Sequence, residues 1–360
     1  MPTGRARTSL ARGMSIYATL RGLLRLGARR DHSGKPRVDP SRGDELAARL
    51  RAELAEGSWA GTAEFLESPE ASANWDDRAF YAEAIADWPE RPEWLDAWAS
   101  ANPESSAARL VRGVHSLRWA WDARGRGLAS TVSQRKADLF FERLEKADAD
   151  LYAAANLAPE DPTPWAFMIP VAMGLNMELE EQARRFEAAV QRHPLHLLAH
   201  SLMLNSLSEK WFGSRDKMFE FARHSAKKAP EGCGLKTLIP QAHVERWLYY
   251  LIEGDDAGAE RYFFQSVSDD EIRAAAEESV FSPEYRETKR ANWERGYFAF
   301  CFWMMGETTL ASQLFEAIGP WVEELPWGYL DDPAKEFAKA RRECLKAMAK
   351  ADGAKRKAEG

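Results

Sequence analysis

The 360-residue sequence predicts an all-α fold, a right-handed α-solenoid of antiparallel helical hairpins with irregular repeats. Three observations carry that expectation. From Asp44 onward apolar residues recur every three or four positions, the spacing that puts them on one helical face. Gly and Pro fall mostly between these segments, where helices end. Seven prolines, Pro69, Pro103, Pro159, Pro194, Pro230, Pro283 and Pro320, each follow a helical segment at intervals of 34, 56, 35, 36, 53 and 37 residues.

Residues 1–40 stand apart from this pattern. Residues 1–38 carry nine Arg or Lys against one Asp, while the whole chain has a net charge of −7. Ile16, Tyr17, Leu20, Leu23, Leu24 and Leu26 interleave with Arg21 and Arg25. Residues 14–30 therefore read either as a poorly ordered leader or as a short basic amphipathic helix with weak membrane contact. Gly34, Pro36 and Pro40 mark a linker. The array is expected over 41–350 and a frayed, disordered tail over 351–360.

Within the array, Leu46, Leu50 and Leu54 share a face. Phe140, Leu144, Ala147, Leu151, Ala154 and Ala158 define a helix over 134–158, and Leu179, Ala183, Phe186 and Val190 define one over 178–192. Proline recurs between helices because it cannot continue one but is tolerated at the start of the next. The two long intervals read as one period plus an insertion, the first in the Gly-rich stretch 124–133 and the second around 255–281. A last amphipathic helix at 333–350, with Phe337, Ala340, Cys344 and Leu345 on one face, would cap the array.

These spacings resemble the tetratricopeptide-repeat family, whose pattern places Trp, Ala, Phe and Pro at fixed offsets. Counting back from Pro194, Phe186 and Ala189 fall on pattern positions; from Pro159, Ala147 and Ala154 do; from Pro103, Trp75 does. The Leu-Gly-Tyr element of the first helix is largely missing, so the repeats are degenerate. The block 118–247 is also similar to uncharacterised bacterial proteins with a TPR-like domain of unknown function, through RWAWDARGRGLASTVS, PEDPTPWA, HPLHLLAHSLMLNSLSEKWFGS and AHVERW. The resemblance implies the fold and no activity.

Composition narrows the function classes. An acidic body argues against nucleic-acid binding, which needs a basic footprint. Cys233, Cys301 and Cys344 show no CxxC spacing, so neither a disulfide framework nor a zinc finger is expected, and a cytoplasmic location fits. His196 and His200 are spaced i, i+4 beside His193, but no Glu follows His196 and no third ligand is in reach. His115 and Asp122 share a helix face as a weak acid–base pair. No nucleophile elbow, P-loop or dinucleotide fingerprint is present. No cofactor and no metal are expected.

In a hairpin array the first helices line the concave face. Proline offsets place Trp75, Arg78, Arg109, Arg112, Trp119, Trp165, His200, Met203, Lys210, Trp211, His243 and Trp247 there. Arg pairs with carboxylates and Trp gives large contact area, which suits a groove for a peptide or protein, acidic in character. The expected function is a non-catalytic interaction scaffold. Two alternatives are a small-molecule or catalytic site near Trp165, His200, Trp211 and His243, and a membrane-peripheral adaptor anchored by 14–30.

Overall fold

A computed structural model describes residues 35–124 and 133–358. The predicted amphipathic helix at 14–30 and most of the Gly-rich insertion, 125–132, lie outside them. The described chain is all-helical, with one isolated bridge, Arg37 to Trp321, and no strand among the described residues.

Short helices open the chain: α1 (Glu45–Ala55), α2 (Ala60–Leu66), α3 (Pro69–Ser72), α4 (Trp75–Ala86) and α5 (Glu93–Ala101). Capping residues define their starts. Asp44 accepts from the Ala47 amide, Ser68 from Ala71, and Asn74 from Asp76 and Asp77. The long pair α6 (Ser106–Arg124) and α7 (Gln134–Leu157) follows, then α8 (Thr163–Gly174), α9 (Leu179–Arg192), α10 (Leu197–Ser206) and α11 (Arg215–Lys228). A 3-10 turn (Gly234–Thr237) leads into α12 (Leu238–Ile252). The chain ends with α13 (Asp256–Tyr262), α14 (Ser266–Glu277), α15 (Ala291–Met305), α16 (Thr308–Ile318), a second 3-10 turn (Trp327–Tyr329) and α17 (Pro333–Ala358).

Sequential helices pack on one another: α6 on α7, α8 on α9, α11 on α12, α15 on α16. The seven prolines all fall in or beside the turns, as Pro69 does at the first position of α3. The stretch 255–281, where an insertion was expected, is helical and forms α13 and α14. α17 continues to Ala358, beyond the end predicted for an ordered helix. Its terminal Ala, Lys and Arg are strong helix formers, which favours continuation.

The inner helices are covered on almost every side. All ten residues of α10 are buried, as is all of α8 except Trp165 and all of α15 except Asn292 and Trp303. Such all-round burial requires neighbours on both flanks. A seam also joins the start of the described chain, residues 37–44, to residues 289–323. The Arg37 amide donates to the Pro320 carbonyl at 2.8 Å, and the Val322 amide to the Arg37 carbonyl at 2.9 Å. The Arg37 guanidinium lies 4.0 Å from the centre of the Trp321 ring. Arg42 pairs with Glu83 at 2.9 Å and Glu323 at 3.5 Å, and Arg290 pairs with Glu83 at 3.1 Å. Lys289 pairs with Asp44 at 2.7 Å. Gly43, at φ +82°, lies flat against Trp321; a Cβ there would sit 2.4 Å from the indole nitrogen.

Candidate functional site

The sequence-nominated residues do not line one common groove. Arg78 is buried and paired with Asp161 at 2.6 Å, also donating to the Leu66 carbonyl. Arg112 holds Asp150 with two bonds of 2.7 Å, and Arg109 reaches the same carboxylate at 3.2 Å. Lys210 pairs with Glu245, both buried within the array. The cations expected to meet an acidic partner thus already face internal carboxylates. Trp119 lies under the Arg143 guanidinium, 3.2 Å from its ring centre, and Trp247 packs on Phe263 and Phe300. Met203 is core.

Nor do Trp165, His200, Trp211 and His243 converge. Trp165 contacts Tyr152 and lies beneath Arg192, 5.2 Å from ring centre to guanidinium. His200 packs between Phe186 and Phe221, its Nδ1 donating to the His196 carbonyl at 3.0 Å; burial lowers its pKa. Trp211 stands edge-on to Trp121. His243 donates from Nε2 to Glu271 at 3.1 Å and accepts at Nδ1 from the Tyr262 hydroxyl at 2.8 Å. His196 caps α10 by accepting from the Ala199 amide, and burial pushes its pKa down to about 4. His115 meets the Ala86 carbonyl at 3.1 Å, not Asp122, and burial likewise lowers it to about 4. No group of three or more potential metal ligands forms among the described residues.

Trp75 leads instead to a different place. A cleft of about 780 Å³ opens where four inter-helix turns meet. Its walls are Ala73–Asp76 at the start of α4, His193–Leu197 ahead of α10, Pro230–Leu235 ahead of α12, and Glu284–Glu294 leading into α15. Prolines 194, 230 and 283 build three of these turns. The walls are tied together: Asp76 Oδ1 accepts from the Leu197 amide at 2.8 Å, and its Oδ2 lies 3.8 Å from His193 Nε2. The Gly232 amide donates to the Glu278 carbonyl at 2.8 Å, and the Glu231 carboxylate accepts from Ser282 at 2.8 Å.

The lining combines apolar surface from Trp75, Leu195, Leu197 and Leu235 with four carboxyl groups, Asp76, Glu231, Glu284 and Glu294; Arg286 is the only Arg or Lys among the lining residues. Asp76 is pushed up by burial, but the His193 hydrogen bond and the charges of His196 and Arg290 outweigh this and hold it below the usual carboxylate range. Glu294 behaves oppositely. Burial raises it to about 7, against the Tyr285 hydroxyl that donates to its Oε2 at 3.0 Å, and the nearby charge of Asp76 adds to the rise. Burial also pushes up the half-buried Cys233 thiol.

Proline offsets missed this cleft because they were used to find helix faces. The turns that the prolines themselves build form its walls, and Trp75 alone of the nominated residues lines it. His243 lines a second cavity of about 540 Å³ with Arg215, Arg223 and Tyr262, and Trp121 and Trp211 line a third of about 220 Å³. Among the described residues no helix is long and apolar enough to cross a membrane. In comparisons with known proteins, no family model, no curated protein and no solved structure matches the chain.

Proposed function

We propose that this protein is a non-catalytic interaction scaffold, a right-handed array of TPR-like hairpins that takes a segment of a protein partner into the cleft at its proline turns. The observation that carries this reading is the cleft's lining, in which an aromatic and aliphatic wall adjoins four carboxyl groups and a single arginine. An apolar wall with a few convergent polar groups is the usual make-up of a binding site. The charge balance favours a basic segment. The acidic partner expected from Arg109 and Arg112 loses support, because both already pair with Asp150 and Arg112 also with Asp96.

Calorimetric titration with end-capped octapeptides of alternating Lys and Ala, or Glu and Ala, tests the reading. The basic peptide is expected to bind, and Glu284→Lys, at an exposed rim position, to weaken it about tenfold at low salt, less at high salt. Tighter binding of the acidic peptide, or indifference to Glu284→Lys, would overturn it.

A further inference from the structure

We propose that the second cavity, walled by α11, α12 and α13, binds a free α-amino acid as its zwitterion. The carboxylate would meet Arg215, and the ammonium would face the Tyr262 oxygen and the carboxylates of Asp216 and Glu220. This site is separate from the proline-turn cleft and stands independently of it. The cavity measures about 540 Å³, a size usual for small-molecule sites. Its floor is Phe219 of α11, His243 of α12 and Tyr262 at the end of α13, all buried.

Behind that floor runs a hydrogen-bonded chain with one direction. Arg223 donates to both oxygens of Glu271, at 2.9 and 3.2 Å, and His243 Nε2 lies 3.1 Å from the same carboxylate. The His243 hydrogen bond, joined by that of Arg223, outweighs partial burial and holds Glu271 below the usual carboxylate range, so Glu271 only accepts. Burial lowers His243 from its ordinary value of 6.5 against the pull of Glu271, so above pH 7 its ring carries one proton, the one on Nε2. Nδ1 must then accept, and the Tyr262 hydroxyl donates its proton there at 2.8 Å. The chain therefore ends on a tyrosine oxygen that can accept but has no proton left to give. A ligand group meeting it has to be a donor.

The rim presents both signs of charge. Along α11, Arg215, Phe219 and Arg223 follow one another four residues apart, and Asp216 and Glu220 form the adjoining row. Side chains on a helix meet when they are three or four residues apart, whereas Arg215 is one and five residues from these carboxylates. Glu220 is three residues from Arg223, but Arg223 is held by Glu271. Arg215, Asp216 and Glu220 thus line the cavity with no ion-pair partner among the described residues. The charge of Arg215 acts on the Tyr262 hydroxyl, opposing the rise that burial causes, which puts this cation near the end of the chain. The cavity therefore asks for an anion at Arg215, a donor at Tyr262 and a positive charge for Asp216 and Glu220. An α-amino acid carries all three on neighbouring atoms. A simple carboxylate would leave the acidic row unmet, and a simple amine would leave Arg215 unmet.

Thermal melting of the full chain with each standard L-amino acid at millimolar concentration tests the proposal. At least one is expected to raise the melting temperature of the wild type and not that of Arg215→Gln. Arg215 is exposed, so this comparison does not depend on replacing a buried side chain. The best amino acid is then compared by calorimetry with its N-acetyl and carboxamide forms, each expected to bind at least about tenfold more weakly. Glu220→Gln should weaken binding about threefold at low salt and less at high salt. Tyr262→Phe, with folding checked by its melt, should weaken it about fivefold. If no amino acid distinguishes wild type from Arg215→Gln, the proposal is overturned. Equal binding of the N-acetyl form would reduce the ligand to a carboxylate, and equal binding of the carboxamide to an amine; either would overturn the zwitterion. Each of these outcomes leaves the scaffold reading of the proline-turn cleft standing.

Discussion

At the scale of single residues, Glu294 has the most distinctive thermodynamics. Its folded-state pKa, about 7, lies above the ordinary glutamate value of 4.5. The folded protein therefore holds this proton to higher pH than the unfolded chain does. The resulting stability is fully present below the unfolded value and is lost as pH rises through 7, amounting to on the order of 3 kcal/mol. Glu294→Gln, which cannot ionise, is expected to melt higher than wild type at pH 8, with the gap closing toward pH 4; parallel melting curves at both pH values would contradict this. Residue roles were the least legible part of the sequence. Arg78, Arg112 and Lys210 looked like free cations because their partners Asp161, Asp150 and Glu245 lie 83, 38 and 35 residues away. Only the packing brings those charges together. The buried histidines were misplaced for a related reason: helical spacing gives a face, but not what covers it.

At the scale of elements the sequence was far more explicit. The helices expected at 134–158 and 178–192 are found at 134–157 and 179–192. Local periodicity and proline punctuation specify such boundaries without tertiary information. What periodicity could not supply is how neighbouring elements are locked. Arg109 and Arg112 of α6 both grip Asp150 of α7, a largely buried contact between two long helices. Reversing both charges would place three carboxylates together in that interface. The double substitution Arg109→Glu, Arg112→Glu is expected to cost about 3 kcal/mol or more of stability, as loss of a buried pair does. A melting temperature unchanged from wild type would mean these arginines are available to a partner after all.

At the scale of the whole molecule, the seam between 35–44 and 318–323 was invisible in the sequence. It depends on how every helix between them packs, and on pairs more than two hundred residues apart, such as the Lys289 amide and Asp77. Glu83 is its electrostatic centre, buried at 2% exposure between Arg42 and Arg290. Glu83→Gln would leave two buried guanidiniums short of a counter-charge, at a cost of about 3 kcal/mol. Hydrogen exchange should then show the amides of Arg37 and Val322 losing protection together. Loss at one side alone would mean that the two ends do not open as a unit.

That seam also bears on copy number. In an open array each repeat touches only its neighbours, so units can be gained or dropped at modest cost. Here a register is imposed from outside the repeats. One extra helix layer would displace the two sides by about 10 Å, too far for Arg42 to bridge Glu83 and Glu323 or for the Arg37 amide to reach Pro320. Inserting a helix pair between residues 44 and 318 is therefore expected to break this seam, whereas lengthening a loop is not.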